Sequence, residues 1–180
     1  MYHNLDEVIK YKENDYNKSN LRDDYFPRGK YMEQEITNVE RALSLRFHTT
    51  FRNLLHKVNL DTIGFHNLYF GGGIRYTKYL TQVNESIPKI ENTLYVQIGS
   101  TDGYLVLMNN ETGEIYVFDS GNAGPIQKVA SEIEEFICRA AFITSRDFDP
   151  NEIGNLAHTF DATNITLDKD FWRDLAFDWA

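Results

Sequence analysis

The feature that most constrains the fold is a series of three strand-like segments between residues 93 and 119. The first and third segments show the period of two that is typical of strands. The second segment, "YLVLMN" from Tyr104, is apolar on both faces, as expected for a central strand that is covered on both sides. The sequence therefore predicts a meander of three antiparallel strands, at about 93–98, 104–109 and 114–119.

Two links that contain glycine join these strands. The link "NETG" ends in Gly113, where a hairpin built on a type I turn needs a residue at positive φ. In the link "GSTDG", Gly99 and Gly103 supply backbone freedom and Asp102 is expected to close the turn. We interpret this link as the entrance to a strand rather than as a site of chemistry.

Helical periodicity precedes the meander. An apolar stripe from Ile36 to Leu43 predicts a helix that starts at Glu33, and a second stripe from Phe51 to Val58 predicts another. Thr49 or Thr50 is placed to cap the second helix. The stretch "NLYFGGGIRYTKYL" predicts a short strand, a glycine break and a further extended piece, and a short helix near Leu5 is left open.

Helical periodicity also follows the meander. The stretch 129–143 has an apolar face that includes Val129 and Phe136, and we expect this helix to pack on the sheet. A last helix is predicted in "DKDFWRDLAFDWA", where Phe171, Trp172, Leu175 and Trp179 share a stripe. We expect this stripe to dock onto the chain's own core, and the alternative is that its aromatic residues anchor a partner. The order of helices, strands and helix predicts a single α+β domain with one antiparallel sheet and flanking helices. Its core spans 33–143, between a polar extension at 1–32 and an acidic, aromatic extension at 144–180 that packs on the core.

Charge is unevenly distributed along the chain. The net charge is −9, and residues 131–180 carry 11 acidic against 4 basic side chains. A field of this sign disfavours nucleic acid and anionic membranes and would attract a basic protein partner. The alternative is that the acidic surface only keeps the protein soluble. The N-terminal residues lack the apolar run of a signal peptide and Cys138 is the sole cysteine, so we expect a cytoplasmic protein without disulfides.

Motifs of catalysis or metal binding are weak. The "GGG" of residues 71–73 lacks the rest of a phosphate loop and precedes a strand-like pattern, and "DFDPNE" lacks the glycine and the glutamate of a calcium loop. His48 and His56 are two helical turns apart, and Cys138 is expected to pack as a small apolar residue. We therefore expect no enzyme activity, no catalytic residue, no metal and no cofactor. A small hydrolase is disfavoured because no nucleophile–base pair is evident.

Three blocks resemble the SUKH superfamily of Smi/Knr-like proteins. They are "ITNVERALSLRFHTTFRNLLHKVN" with the acidic Glu40, "IGSTDGYLVLMNNETGEIYVFD", and "VASEIEEFI". The chain departs from the family pattern at His48, at Leu60 and Asp61, and at Glu132 and Ile133. The resemblance implies an α+β fold and no catalysis. For bacterial members it implies an immunity protein that neutralises a toxin, often a nuclease. For fungal members it implies a scaffold linked to cell-wall synthesis. The sequence alone does not distinguish these two roles, and it leaves the oligomeric state open.

A binding surface for a basic partner, such as a toxin domain, is predicted on the acidic C-terminal third. The candidate residues are Asp147, Asp149, Glu152, Asp161, Asp168, Asp170, Asp174 and Asp178. Carboxylates in polar or helix-exposed positions are free to meet Lys or Arg side chains of a partner. The loops at Gly71–Gly73 and Thr101–Gly103 are the second choice for this surface.

Overall fold

A computed structural model describes residues 2–18, 31–61, 63–71, 73–85, 89–90, 93–121, 125–145 and 169–176. Within these residues there are six helices and seven strands. The helices are α1 (Leu5–Lys18), α2 (Glu33–Ala42), α3 (Thr49–Lys57), α4 (Tyr76–Val83), α5 (Ile133–Thr144) and α6 (Lys169–Ala176). The strands are β1 (Gly64–Phe65), β2 (Leu68–Tyr69), β3 (Lys89–Ile90), β4 (Thr93–Ser100), β5 (Tyr104–Asn109), β6 (Ile115–Asp119) and β7 (Gln127–Ala130).

The strands form one antiparallel sheet in the order β1-β2-β4-β5-β6-β7, and β3 also pairs with β4. The predicted meander is confirmed as β4, β5 and β6, with β5 between its two sequence neighbours. Val106 and Met108 of β5 are fully buried, as its apolar sequence requires. The fold is thus the α+β class that the sequence predicts.

Helices α2 and α3 are confirmed, but the cap of α3 is not the predicted threonine. His48 is the N-cap, and its side chain accepts a hydrogen bond from the backbone N–H of Thr50. Between the two helices, the buried carboxylate of Glu40 accepts hydrogen bonds from the Phe47 backbone N–H, at 2.8 Å, and from the Arg52 guanidinium. This carboxylate holds the link between α2 and α3 in place.

Two predictions of secondary structure are wrong. Val129 and Ala130 belong to β7, which pairs with β6, and helix α5 starts only at Ile133. Residues 76–83 form helix α4 instead of an extended piece, because Tyr76, Tyr79 and Leu80 make a buried stripe at helical spacing. A helix therefore does follow the triple glycine, although the remainder of a phosphate-binding motif is still missing from the sequence.

Both ends of the described chain contribute to one core. Leu5, Val8 and Ile9 of α1 are buried in it, so this helix, which falls within the predicted N-terminal extension, belongs to the core. Phe171, Trp172 and Leu175 of α6 are also buried, whereas Trp179 lies outside the described residues. The rings of Phe171 and Trp172 pack on Phe136 of α5, at centroid distances of 6.1 and 5.7 Å. Helix α5 also contacts α1, α3, β1 and β7, and so occupies the centre of the domain.

Side chains complete the sheet where strands are short. Between β3 and β2, the edge of β4 is satisfied by the buried amide of Asn84, which accepts from the Gln97 backbone N–H at 2.7 Å and donates to the Gln97 carbonyl at 2.9 Å. On β1, Lys12 donates to the Gly64 carbonyl at 2.8 Å. These contacts supply the partners that a longer neighbouring strand would supply.

The β5–β6 hairpin is fastened to the start of α3. Asn110 accepts a hydrogen bond from the His48 backbone N–H at 3.0 Å and donates to the Arg46 carbonyl at 2.8 Å. Gly113 has a φ of 77°, and a Cβ added there would lie 2.5 Å from Nδ1 of His48. The hairpin turn thus lies directly against the His48 ring.

Candidate functional site

A cleft of about 490 Å³ lies where the β1–β2 turn, the β4–β5 loop and helix α6 meet. We call it the α6 cleft. It is lined by Asn67 from the turn, by the loop residues Thr101, Asp102 and Gly103 with Tyr104, and by Phe171, Asp174 and Leu175 of α6. The volume lies in the range of small-ligand sites, and the lining combines aromatic rings with carboxylates and an amide.

The β4–β5 loop is closed by Thr101. Its hydroxyl oxygen accepts hydrogen bonds from the backbone N–H groups of Gly103 and Tyr104, at 3.3 and 3.0 Å. The sequence predicts that Asp102 closes this turn, but no described hydrogen bond involves its side chain, which is exposed. Asp102 therefore lines the cleft with an exposed side chain that forms no described hydrogen bond within the loop.

Two glycines of this region differ in surroundings. A Cβ on Gly99 would lie 3.1 Å from the Tyr69 carbonyl, so the side-chain-free position allows β2 to approach β4 closely at the irregularity after Gln97. A Cβ on Gly103 would meet nothing within 4 Å. A side chain at Gly99 would thus require the neighbouring strand to shift slightly, whereas no described atom excludes one at Gly103.

The carboxylate of Asp174 connects α6 to the sheet. Its Oδ2 accepts a hydrogen bond from the Tyr104 hydroxyl at 3.1 Å, and its Oδ1 lies 3.5 Å from Nε of Arg173. The ring of Tyr104 meets Phe171 edge-on at a centroid distance of 5.4 Å. These contacts hold the half-buried carboxylate of Asp174 beside the rings of Tyr104 and Phe171.

Asn67 contributes an unsatisfied acceptor. Its Oδ1 is buried and has no hydrogen-bond partner in the part of the chain that the structure describes. The residue lies in the two-residue turn between β1 and β2, next to His66, which has a φ of 46°. A buried acceptor without a donor costs on the order of 1–3 kcal/mol.

The predicted binding surface is described in part. Asp174 lies in the α6 cleft, and Asp170 lies in α6 with a side chain that is outside the described part. The other predicted carboxylates also lie outside the described residues: Asp147, Asp149, Glu152, Asp161, Asp168 and Asp178. The structure brings Asp174 next to the loop Thr101–Gly103, which the sequence offers as a separate second choice. Asn67 and the Tyr104 hydroxyl are missed by sequence reasoning, since no local pattern distinguishes a cleft residue from any other turn or strand residue.

A second cavity, of about 410 Å³, lies near the triple glycine. It is lined by Asp61, Ile63, Gly64, Tyr69, Phe70 and Gly73. Tyr69 is 45% exposed, and Met32 and Ile74 are also exposed apolar side chains. Arg75, which follows Ile74, forms an ion pair with Glu35 of α2. This region has little charge available for a ligand.

Two side chains with catalytic potential, His56 and Cys138, lie in structural surroundings. His56 contacts the Tyr31 carbonyl and the Glu33 carboxylate. Burial raises the pKa of the Cys138 thiol to about 11, and the carboxylate of Glu134 acts in the same direction. In the described ranges, no three His, Cys, Asp or Glu side chains are grouped so as to hold a metal ion, and no helix has the length and apolarity to cross a membrane.

Comparison with protein-family models gives a match. The family model described as "SUKH_6: SMI1-KNR4 cell-wall" matches residues 33–137, which is more than half of the chain. The matched range runs from the start of α2 into α5 and contains the whole described sheet. No curated protein matches the chain.

Proposed function

The chain belongs to the SMI1-KNR4 family, in its SUKH_6 branch, and on this premise we propose that it is a non-catalytic binding protein for a basic protein partner. The more specific proposal is a cytoplasmic immunity protein that binds one toxin domain and blocks its active surface. A nuclease toxin needs a basic groove for the phosphates of its substrate, so an acidic protein is a suitable competitor for that groove.

The observation that carries this proposal is the α6 cleft. It joins an exposed carboxylate, Asp102, to a half-buried one, Asp174, on a chain whose net charge is −9. Asp174 contacts the Tyr104 hydroxyl, and both carboxylates line the cleft together with Tyr104 and Phe171. Aromatic residues are enriched in the centres of protein interfaces. A surface with this combination favours Lys or Arg side chains of a partner.

A scaffold or regulator linked to cell-wall synthesis is the alternative function. The family description itself names the cell wall, and a scaffold also needs a binding surface without catalysis. The two functions differ in the partner and not in the chemistry of the surface.

Co-expression separates these functions. The chain is produced together with the C-terminal domain of a secreted protein encoded by a neighbouring gene, in cells that this domain kills. The immunity proposal predicts that growth is restored and that the two proteins copurify in a stoichiometric complex. Unrestored growth with no complex would refute it, and copurification with enzymes of wall synthesis would support the alternative.

The role of the cleft in that complex is tested by Asp102→Asn, with Asp6→Asn as the matched control. Asp6 lies exposed on α1, does not line the cleft, and loses the same single charge. We expect the first variant to weaken the complex, most visibly at low salt where charges are least screened. Equal affinity of both variants for the toxin domain would place the interface elsewhere.

A further inference from the structure

The α6 cleft contains an acceptor for which the described residues provide no donor. Asn67 lines it and has a buried Oδ1 that accepts no hydrogen bond, so a ligand with N–H groups would relieve the cost of this acceptor once the amide turns toward it. The described residues also give Asp102 no hydrogen bond or ion pair. Two acceptor groups of the cleft, Asn67 Oδ1 and the Asp102 carboxylate, therefore have no donor among the described residues.

The carboxylates of the cleft favour a ligand with positive charge. Among the described residues, the carboxylates that line the cleft are Asp102 and Asp174, and the half-exposed Arg173 reaches Asp174 Oδ1 at 3.5 Å. This distance is longer than a well-formed charged hydrogen bond of roughly 2.7–2.9 Å. A second cation can therefore be accommodated beside Asp174 and Asp102.

The aromatic lining favours a planar cation. Tyr104 and Phe171 present adjoining rings, and the Tyr104 hydroxyl already fixes one oxygen of Asp174. A guanidinium group stacks on aromatic faces and donates to carboxylates through several N–H groups in one plane, whereas an ammonium group is a compact and strongly hydrated charge.

We propose that the α6 cleft binds the guanidinium group of an arginine side chain on the partner protein. This inference rests on the proposed function in one respect, the basic character of the partner. Asp102 and Asp174 neutralise the charge, Asn67 accepts from a further N–H, and Tyr104 provides the stacking face.

The test uses N-acetyl-arginine amide as the probe, with the uncharged isostere N-acetyl-citrulline amide as its control. Two-dimensional NMR spectra of the whole chain are recorded at neutral pH and low salt. We expect the arginine compound to shift the backbone amides of Asn67 and of Thr101–Tyr104, with a Kd on the order of 1–10 mM, which corresponds to about 3–4 kcal/mol of binding. The citrulline compound should bind at least roughly tenfold more weakly, because it forfeits the charge-assisted hydrogen bonds.

Variants separate the cleft from general charge attraction. Asp102→Asn should weaken probe binding severalfold, and Asp6→Asn should leave it unchanged although the net charge is the same. Arg173→Gln should tighten probe binding about two- to threefold, because it removes the chain's own guanidinium from Asp174. A purely structural role for Arg173 predicts no such gain.

Three outcomes would overturn the inference. They are equal shifts with the citrulline compound, equal weakening by Asp6→Asn and Asp102→Asn, and shifts that avoid the cleft. A Kd for the free probe below about 10 µM would also overturn it, because binding that tight would assign the cleft to a small guanidinium compound rather than to a side chain of a protein. A negative probe result together with restored growth in the co-expression assay would reject the cleft and keep the immunity function, so the two failures are distinguishable.

Discussion

Gly113 provides the sharpest test of how the hairpin and the helices are joined. Replacing it by alanine imposes two separate costs. The φ of 77° is unfavourable for a residue with a Cβ by about 1–2 kcal/mol. The added Cβ would also lie 2.5 Å from Nδ1 and 2.6 Å from Cε1 of His48, so the ring must move.

Movement of the His48 ring endangers the cap of α3. Its Nδ1 lies 2.8 Å from the Thr50 hydroxyl and accepts from the Thr50 N–H, and loss of an N-cap contact costs about 0.5–2 kcal/mol. Alanine also lowers the conformational entropy of the unfolded chain, which stabilises the folded state by roughly 0.4–1 kcal/mol. The net expectation for Gly113→Ala is a loss of about 1–3 kcal/mol in the free energy of unfolding.

Gly103→Ala is the matched control. A Cβ there meets nothing within 4 Å and its φ lies outside the left-handed region, so we expect stability within about 0.5 kcal/mol of the parent, or a small gain. Both variants are compared by urea unfolding followed by circular dichroism, with the midpoint interpreted at constant m.

A double mutant separates the two costs. In a His48→Ala background, Gly113→Ala should lose only the backbone part, so the two substitutions should show a coupling of about 0.5–2 kcal/mol. Equal effects of Gly113→Ala and Gly103→Ala, or full additivity with His48→Ala, would refute the packing of the turn against the ring.

Three further predictions address the edge of β4, acid stability and the thiol. Asn84→Ala leaves the backbone N–H and carbonyl of a buried strand without partners and should cost about 2–4 kcal/mol in urea unfolding, whereas Asn38→Ala, on the exposed face of α2, should cost less than about 1 kcal/mol. The pKa of the Glu114 carboxyl is lowered, chiefly by its hydrogen bond to Lys128. Its contribution to stability is therefore present above the pKa of the unfolded state and is lost as the pH falls through the pKa of the folded state. Glu114→Gln should flatten the acid side of a stability–pH profile, and an unchanged slope would contradict the ion pair. Because the pKa of the Cys138 thiol is raised to about 11 and the side chain is buried, a disulfide reagent at pH 8 should react slowly with the native protein and promptly after unfolding, and equal rates would mean that α5 is open there.

The sequence by itself determined the meander and most helices, because their signals are local. The period of two in β4 and the two-sided apolar run of β5 need no knowledge of distant residues, and the stripes of α2 and α3 are equally self-contained. The three family blocks depend on the same core and turn residues, which is why the resemblance could be identified from the sequence and was confirmed by the family match.

Only the tertiary structure determines which residues that are distant in the sequence contact one another. Val129 and Ala130 also fit the apolar face of the helix that follows, and they belong to β7 because β6 offers them backbone hydrogen bonds. The α6 cleft brings Asn67 and Tyr104 together with Asp174, which is 70 positions from Tyr104 in the sequence. No periodicity in the sequence predicts that contact. Burial and hydrogen bonding between distant segments depend on how the whole core packs, and a sequence pattern reports only the near neighbours of each residue.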